Sequence, residues 1–235
     1  MGKNLIQQRR GKGSPRFKAR SFAYIGDVRY PKYEGTAEGR VIDLVHSSGH
    51  SAPIAKVIFG REEALLIAPI GTKVGDSIKI GAEADVKDGN ILPVEKIPEG
   101  TSVYNLESKP KDGGKFVRSS GTSARVLAKS PAGVLVQLPS KKQRLFNNNC
   151  MATIGIISGF ARVEKPMLKA GNMHYKKKAR NKFYPRVSAL SMNAVSHPFG
   201  GSRSSKLGKS QIAPRFAPPG RKVGLIRPRR TGKRK

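Results

Sequence analysis

His46 and His50 stand four residues apart, the spacing that sets two imidazoles on one helix face and lets them share a metal ion. Ser47-Ser48-Gly49 between them and Pro53 beyond read as a loop, and no third ligand stands with them, so no metal is assigned. His174 and His197 lie among cations, where an imidazole hydrogen-bonds or stacks more readily than it acts as a general base. Cys150 is the sole cysteine. It reads as a small core hydrophobe rather than a nucleophile, and one thiol makes neither an internal disulfide nor a zinc cluster. Gly208-Lys209-Ser210 has the ending of a phosphate-binding loop, yet Arg203 occupies the opening glycine position and no apolar strand precedes it. With no nucleophile elbow and no recognisable pair of carboxylates, the chain reads as a non-enzyme without a cofactor.

The chemistry that the residues do support is charge neutralisation. The chain of 235 residues carries a net charge of +31, and that charge is unevenly placed. Residues 1–26 hold seven Lys and Arg and no acid, and residues 166–235 hold nineteen and no acid. All fifteen acids fall between, against twenty bases, so the centre is near balance. A sparsely apolar segment of one charge cannot offset its conformational entropy alone; it orders on a polyanion. Nucleic acid fits best, because each phosphate neutralised releases counterions. A membrane surface fits worse, since the arms lack an apolar stripe and no run approaches the ~20 residues of a span. The start, MGKNLIQQRRGKG, has no apolar stretch of the secretory kind.

Aromatics interleave with these cations: Arg16-Phe17-Lys18, Tyr175 before Lys176, Lys177 and Lys178, Phe183-Tyr184 after Lys182, and Arg215-Phe216. Rings and guanidinium planes stack on unpaired bases while Lys and Arg meet phosphates, which suits irregular RNA. The candidate RNA contacts of the front arm are Arg9, Arg10, Lys12, Arg16, Lys18 and Arg20. Those of the rear arm are Lys176 to Lys178, Arg180, Lys182, Arg186 and Arg203, then Arg221, Lys222, Arg227, Arg229 and Arg230. In His197-Pro198-Phe199-Gly200-Gly201, Gly200 and Gly201 are expected to bring backbone N–H groups close to phosphate.

Between the arms, β-branched runs alternate with Gly, Pro, Asp and Asn. Nine strands are predicted, over residues 40–46, 55–59, 64–68, 77–80, 91–97, 125–129, 134–138, 144–146 and 153–157. The loops Lys73-Val74-Gly75-Asp76 and Lys87-Asp88-Gly89-Asn90 need glycine at positive φ, and Ser130-Pro131-Ala132-Gly133 is expected to close a hairpin. The interruption at Asp88–Asn90 suggests two small barrels, so an all-β fold is expected, with 37–88 and 89–165 as barrels and 1–36 and 166–235 as basic extensions. Beyond residue 165, Pro and Gly recur too often for long elements, and one helical turn at 167–171 in an otherwise extended arm is expected.

The strings LIQQRRGKG, ILPVEKIPEGTSVYNLE, RSSGTSA, LPSKKQR, NCMATIG, KAGNMH and MNAVSHPFGG follow in this order. Together they resemble the universal large-subunit ribosomal protein L-two family across essentially the whole chain, in its archaeal or eukaryotic-cytosolic branch. The resemblance implies an OB-fold barrel followed by an SH3-like barrel, with both arms threaded into large-subunit rRNA. It implies a structural role around the peptidyl transferase centre, in tRNA placement and in association of the subunits, with bond formation left to the RNA. The implied partners are large-subunit rRNA, other large-subunit proteins and the small subunit across a bridge, in the cytoplasmic ribosome and with no membrane. Magnesium is expected at the interface, held mainly by RNA oxygens. His197 matches the family histidine nearest the catalytic RNA, in an architectural role. Arg118 and Arg125 in the second barrel are expected surface contacts to RNA. Ser196, Ser202 and Ser188-Ala189 depart from the family's usual Asp, Gly and Arg-Gly. A DNA-compacting protein and an RNA-modifying enzyme with a barrel accessory domain are the rival readings.

Overall fold

The computed structural model describes residues 2–18, 20–33, 35–162, 164–201 and 212–224. They form two compact units, one built from residues 21–168 and the other from the two termini, residues 1–20 with 169–235.

The larger unit is all β. Its ten strands are β1 (Ala37–Val45), β2 (Ile54–Phe59), β3 (Glu62–Ile67), β4 (Ser77–Ile80), β5 (Ile91–Pro93), β6 (Ser102–Tyr104), β7 (Ala124–Ser130), β8 (Gly133–Gln137), β9 (Gln143–Phe146) and β10 (Met151–Ile154). They pair in the order β3-β2-β1-β4-β5-β10-β6-β7-β8-β9, antiparallel except for a parallel contact of Ile80 with Ile91. Each of the nine predicted strands overlaps an observed one, though the strand expected over 153–157 is found over Met151–Ile154. The strand expected over 91–97 stops at Pro93, whose ring removes a ladder donor, and a 3-10 turn follows over Val94–Lys96. β6 is the strand that the sequence reading missed.

Alternation along the strands builds the cores. Val41, Val57, Phe59, Leu66, Ile78 and Ile80 enclose one apolar cluster. Leu92, Val103, Val126, Val134, Val136, Phe146 and Ala152 enclose another, which contains Cys150 as expected of a core hydrophobe. Burial and the neighbouring Glu107 raise the Cys150 thiol pKa, which disfavours the thiolate. The change from one core to the other falls inside β5, where Ile91 points into the first and Leu92 into the second. Here the Asn90 side chain, itself buried, accepts from the Lys79 N–H at 2.9 Å and donates to the Asp85 carbonyl at 2.9 Å. The glycines expected at positive φ are found there, at +98° for Gly75 and +95° for Gly89, and the expected hairpin joins β7 to β8 with Gly133 paired to Ser130.

Two buried polar groups tie the strands together. The Tyr30 hydroxyl donates to the Asn105 carbonyl at 2.8 Å and meets the Thr153 hydroxyl at 2.7 Å; burial drives its pKa far upward. The Glu107 carboxylate accepts three backbone N–H groups, from Gly113 at 2.9 Å, Met151 at 2.9 Å and Lys111 at 3.1 Å. Those bonds pin β10 to the loop that leads to Phe116 and Arg118.

Among its described residues the terminal unit holds two α-helices, α1 (Ile6–Gly11) and α2 (Ala170–Ala179), and a 3-10 turn over Ala189–Ser191, which corrects the expectation of extended arms with a single turn. The run from Asn172 to Tyr184 contains neither Pro nor Gly, and Met, Ala, Lys and Arg are good helix formers. The Lys176–Lys178 cluster sits in the last turn of α2, where the helix dipole favours cations.

Candidate nucleic-acid interface

Among its described residues the compact terminal unit has almost no apolar core. Leu5, Phe199 and Ala213 are its only buried hydrophobics among the described residues, and α2 buries none. Burying one Leu and one Phe contributes on the order of 5 kcal/mol. Fixing the backbone alone costs roughly 1 kcal/mol or more per residue. Apolar burial therefore falls far short of offsetting the ordering, and neither arm supplies a carboxylate side chain within residues 1–26 or 166–235.

Backbone and side-chain contacts still shape the unit. The Lys3 N–H donates to the Val195 carbonyl at 2.7 Å, laying the N-terminus along the rear arm. The Asn181 amide donates to the Pro15 carbonyl at 3.0 Å and also to the Lys18 carbonyl. Arg16 places its guanidinium 5.0 Å from the Phe183 ring centre. Thus front-arm cations and rear-arm rings separated widely in sequence form one surface. Gln8 accepts the Leu5 N–H at 3.0 Å and fixes the first turn of α1, which carries Arg9 and Arg10 outward.

Arg9, Arg10, Lys12, Arg16, Lys18, Lys178, Lys182, Arg186, Arg221 and Lys222 are exposed, and Arg20, Lys176, Lys177 and Arg180 are half-buried. Arg203, Arg227, Arg229 and Arg230 lie outside the described residues. Tyr175 and Phe216 present bare rings at 69% and 90% exposure, with the Arg215 guanidinium 5.3 Å from the Phe216 ring centre. Flat, uncovered rings beside cations are what unpaired bases stack on.

The loop at 192–201 is closed on itself. Gly200 donates to the His197 carbonyl at 2.9 Å and Gly201 to the Met192 carbonyl at 3.0 Å. The N–H groups expected to face phosphate are thus spent inside the loop. A Cβ on Gly200 would collide with the Met192 and Asn193 carbonyls, so this glycine serves the chain's approach to itself. His197 accepts the Phe199 N–H on Nδ1 at 3.1 Å, which leaves Nε2 to carry the proton of the neutral ring. Partial burial lowers its pKa, so near neutral pH it is an uncharged donor.

In the larger unit the two predicted contacts differ. Arg118 is half-buried and donates to the Val28 carbonyl at 2.7 Å and the Gly114 carbonyl at 3.2 Å; burial lowers its pKa. Arg125 is exposed and spends only Nε, on the Gly100 carbonyl at 3.2 Å. Among the described residues no cluster of three His, Cys, Asp or Glu is placed to hold a metal ion. His50 instead meets the Ser47 hydroxyl at 2.7 Å through Nδ1. No helix among the described residues is long and apolar enough to cross a membrane.

Residues 87–219 match the family model described as Ribosomal Proteins L2, C-terminal domain, a span that runs from the second core through the 192–201 loop. Two relatives named Large ribosomal subunit protein uL2 align over all of this chain and all of their own: one from Methanococcoides burtonii at 46% identity over 237 residues, one from Methanococcus vannielii at 45% over 240. The chain belongs to the uL2 family. One residue that sequence reasoning passed over is Arg144 on β9, whose guanidinium lies over the Phe116 and Phe146 rings. In the sequence it closes the basic string LPSKKQR, two residues before Phe146.

Proposed function

We propose that this uL2 chain is a structural constituent of the large ribosomal subunit that binds large-subunit rRNA. The observation that carries the reading is the terminal unit: compact, almost coreless, and without a carboxylate side chain in either arm. Such a unit is completed by phosphate, and the cations along α1, α2 and the segments around them act as fixed counterions that let RNA strands approach one another. His197 offers a neutral N–H from a loop shaped by Gly200, and its role is architectural. Following the family resemblance, the two cores correspond to an OB-fold barrel over 37–88 and an SH3-like barrel over 89–165. The arms then support the RNA around the peptidyl transferase centre, tRNA placement and contact with the small subunit, in the cytoplasmic ribosome among neighbouring large-subunit proteins. Peptide-bond formation rests with the RNA, and magnesium at the interface is held chiefly by RNA oxygens.

Competition tests this against DNA compaction, the rival that shares the counterion physics. With the full chain bound to labelled large-subunit rRNA, excess unlabelled rRNA displaces the label at far lower nucleotide concentration than duplex DNA. Equal displacement by the two would overturn the reading.

A further inference from the structure

We propose that Asn181 is a positioning residue that clasps the front arm to the end of α2, so that the two arms meet RNA as one coupled body. The inference rests on the rRNA-binding function proposed above. α2 closes in a turn with two paired bonds: the Asn181 N–H donates to the Lys178 carbonyl at 3.0 Å and the Lys182 N–H to the Lys177 carbonyl at 2.8 Å. A helix end of that form puts the residue after the cap in the left-handed region, and Asn181 has a φ of +49°. Glycine takes this conformation at the least cost, with asparagine next. What asparagine adds over glycine is a side-chain amide. Here that amide leaves the helix and donates to the Pro15 carbonyl at 3.0 Å and to the Lys18 carbonyl, partners 166 and 163 residues away in the chain.

The segment so gripped is a turn, in which the Phe17 N–H donates to the Ser14 carbonyl at 2.8 Å. Asn181 holds it by its two ends, Pro15 and Lys18, and Phe183, two residues further on, takes the Arg16 guanidinium 5.0 Å from its ring centre. The amide engages carbonyls rather than cations, so Arg16 and Lys18 stay exposed, as do Lys178 and Lys182 on either side of Asn181. Like charges gathered in this way repel, and no carboxylate in either arm relieves them. Neutral hydrogen bonds between the arms are therefore what can keep the cations together until phosphate arrives. Whatever orders the end of α2 then orders the front arm with it, and the second arm loses less freedom on binding than it would alone.

The test is a double-mutant cycle on the full chain, read as affinity for large-subunit rRNA across a monovalent salt titration. Asn181→Gly changes no charge, suits the left-handed turn better than asparagine and removes only the amide. It is expected to leave the thermal unfolding of the β unit unchanged and to weaken rRNA binding about tenfold, the worth of two modest hydrogen bonds. Arg16→Met is expected to weaken binding of the wild type by more than it weakens binding of Asn181→Gly, because an unclasped front arm no longer presents Arg16 in place. Wild-type affinity in Asn181→Gly would reduce Asn181 to a helix end and overturn the inference. So would losses from the two substitutions that multiply to within about twofold, the mark of independent sites. Absence of salt-dependent binding by the wild type would instead overturn the proposed function on which the inference rests.

Discussion

Glu107 offers a perturbation whose size follows from its surroundings. Its side chain is 1% exposed, and its two oxygens accept N–H groups from Lys111, Gly113 and Met151. Glu107→Ala leaves three backbone donors near the core without an acceptor. Each buried unpaired group costs about 1–3 kcal/mol, so the variant is expected to lose about 3–6 kcal/mol after partial relaxation. Domain stabilities run at about 5–15 kcal/mol, which makes that loss a large fraction of the whole. Glu107→Gln retains one oxygen and turns an NH2 toward donors, so it should lose roughly half as much. Urea unfolding of the full chain, followed by far-ultraviolet circular dichroism, reads both. The same bonds hold the loop leading to Phe116, so Glu107→Ala should also weaken the ring platform under Arg144. An alanine variant within about 0.5 kcal/mol of wild type would refute the reasoning, because it would mean that the three donors find other partners.

Gly200→Ala should open the 192–201 loop, since the added Cβ strikes the Met192 and Asn193 carbonyls; rRNA affinity falls while the thermal unfolding of the β unit is unchanged, as binding and calorimetry on the same sample will show. Tyr30 has its pKa raised by burial from an ordinary value of about 10. Its contribution is therefore complete below about pH 10 and is lost as the pH rises beyond, because only the unfolded phenol ionises there. Stability measured at pH 9 and 11 should drop between the two in the wild type and drop less in Tyr30→Phe. The His197 ring, with its pKa lowered by burial, should titrate below the ordinary value of about 6.5 in nuclear magnetic resonance of the RNA-free chain. What its neutral form contributes is present above that value and is lost as the pH falls through the lowered one.

The β unit was legible because burial on alternating residues writes itself into β-branched runs and the turns demand glycine at fixed places. β6 escaped because three residues, Ser102–Tyr104, are too short a run to show alternation. Pro93 cut a run that its apolar neighbours prolonged. α2 escaped because Pro and Gly on either side of it set the expectation for the whole arm, although residues 172–184 contain neither. The charge of the arms was plain from composition, but their joining was not. Lys3 against Val195 and Arg16 over Phe183 are long-range contacts with no periodic signal in either segment. Gly200 and Gly201 were singled out for an approach to phosphate, whereas in the loop their N–H groups meet the His197 and Met192 carbonyls of the chain itself. Arg144 was hidden because its ring partners come from two separate segments, and only the register of β9 brings them under one side chain.

The central claim is that the termini act as counterions to RNA phosphate. A filter-binding titration of the full chain with large-subunit rRNA between 50 and 200 mM monovalent salt tests it most directly. The account predicts that affinity falls by about 10³ to 10⁵ across that range. A flat response would contradict it.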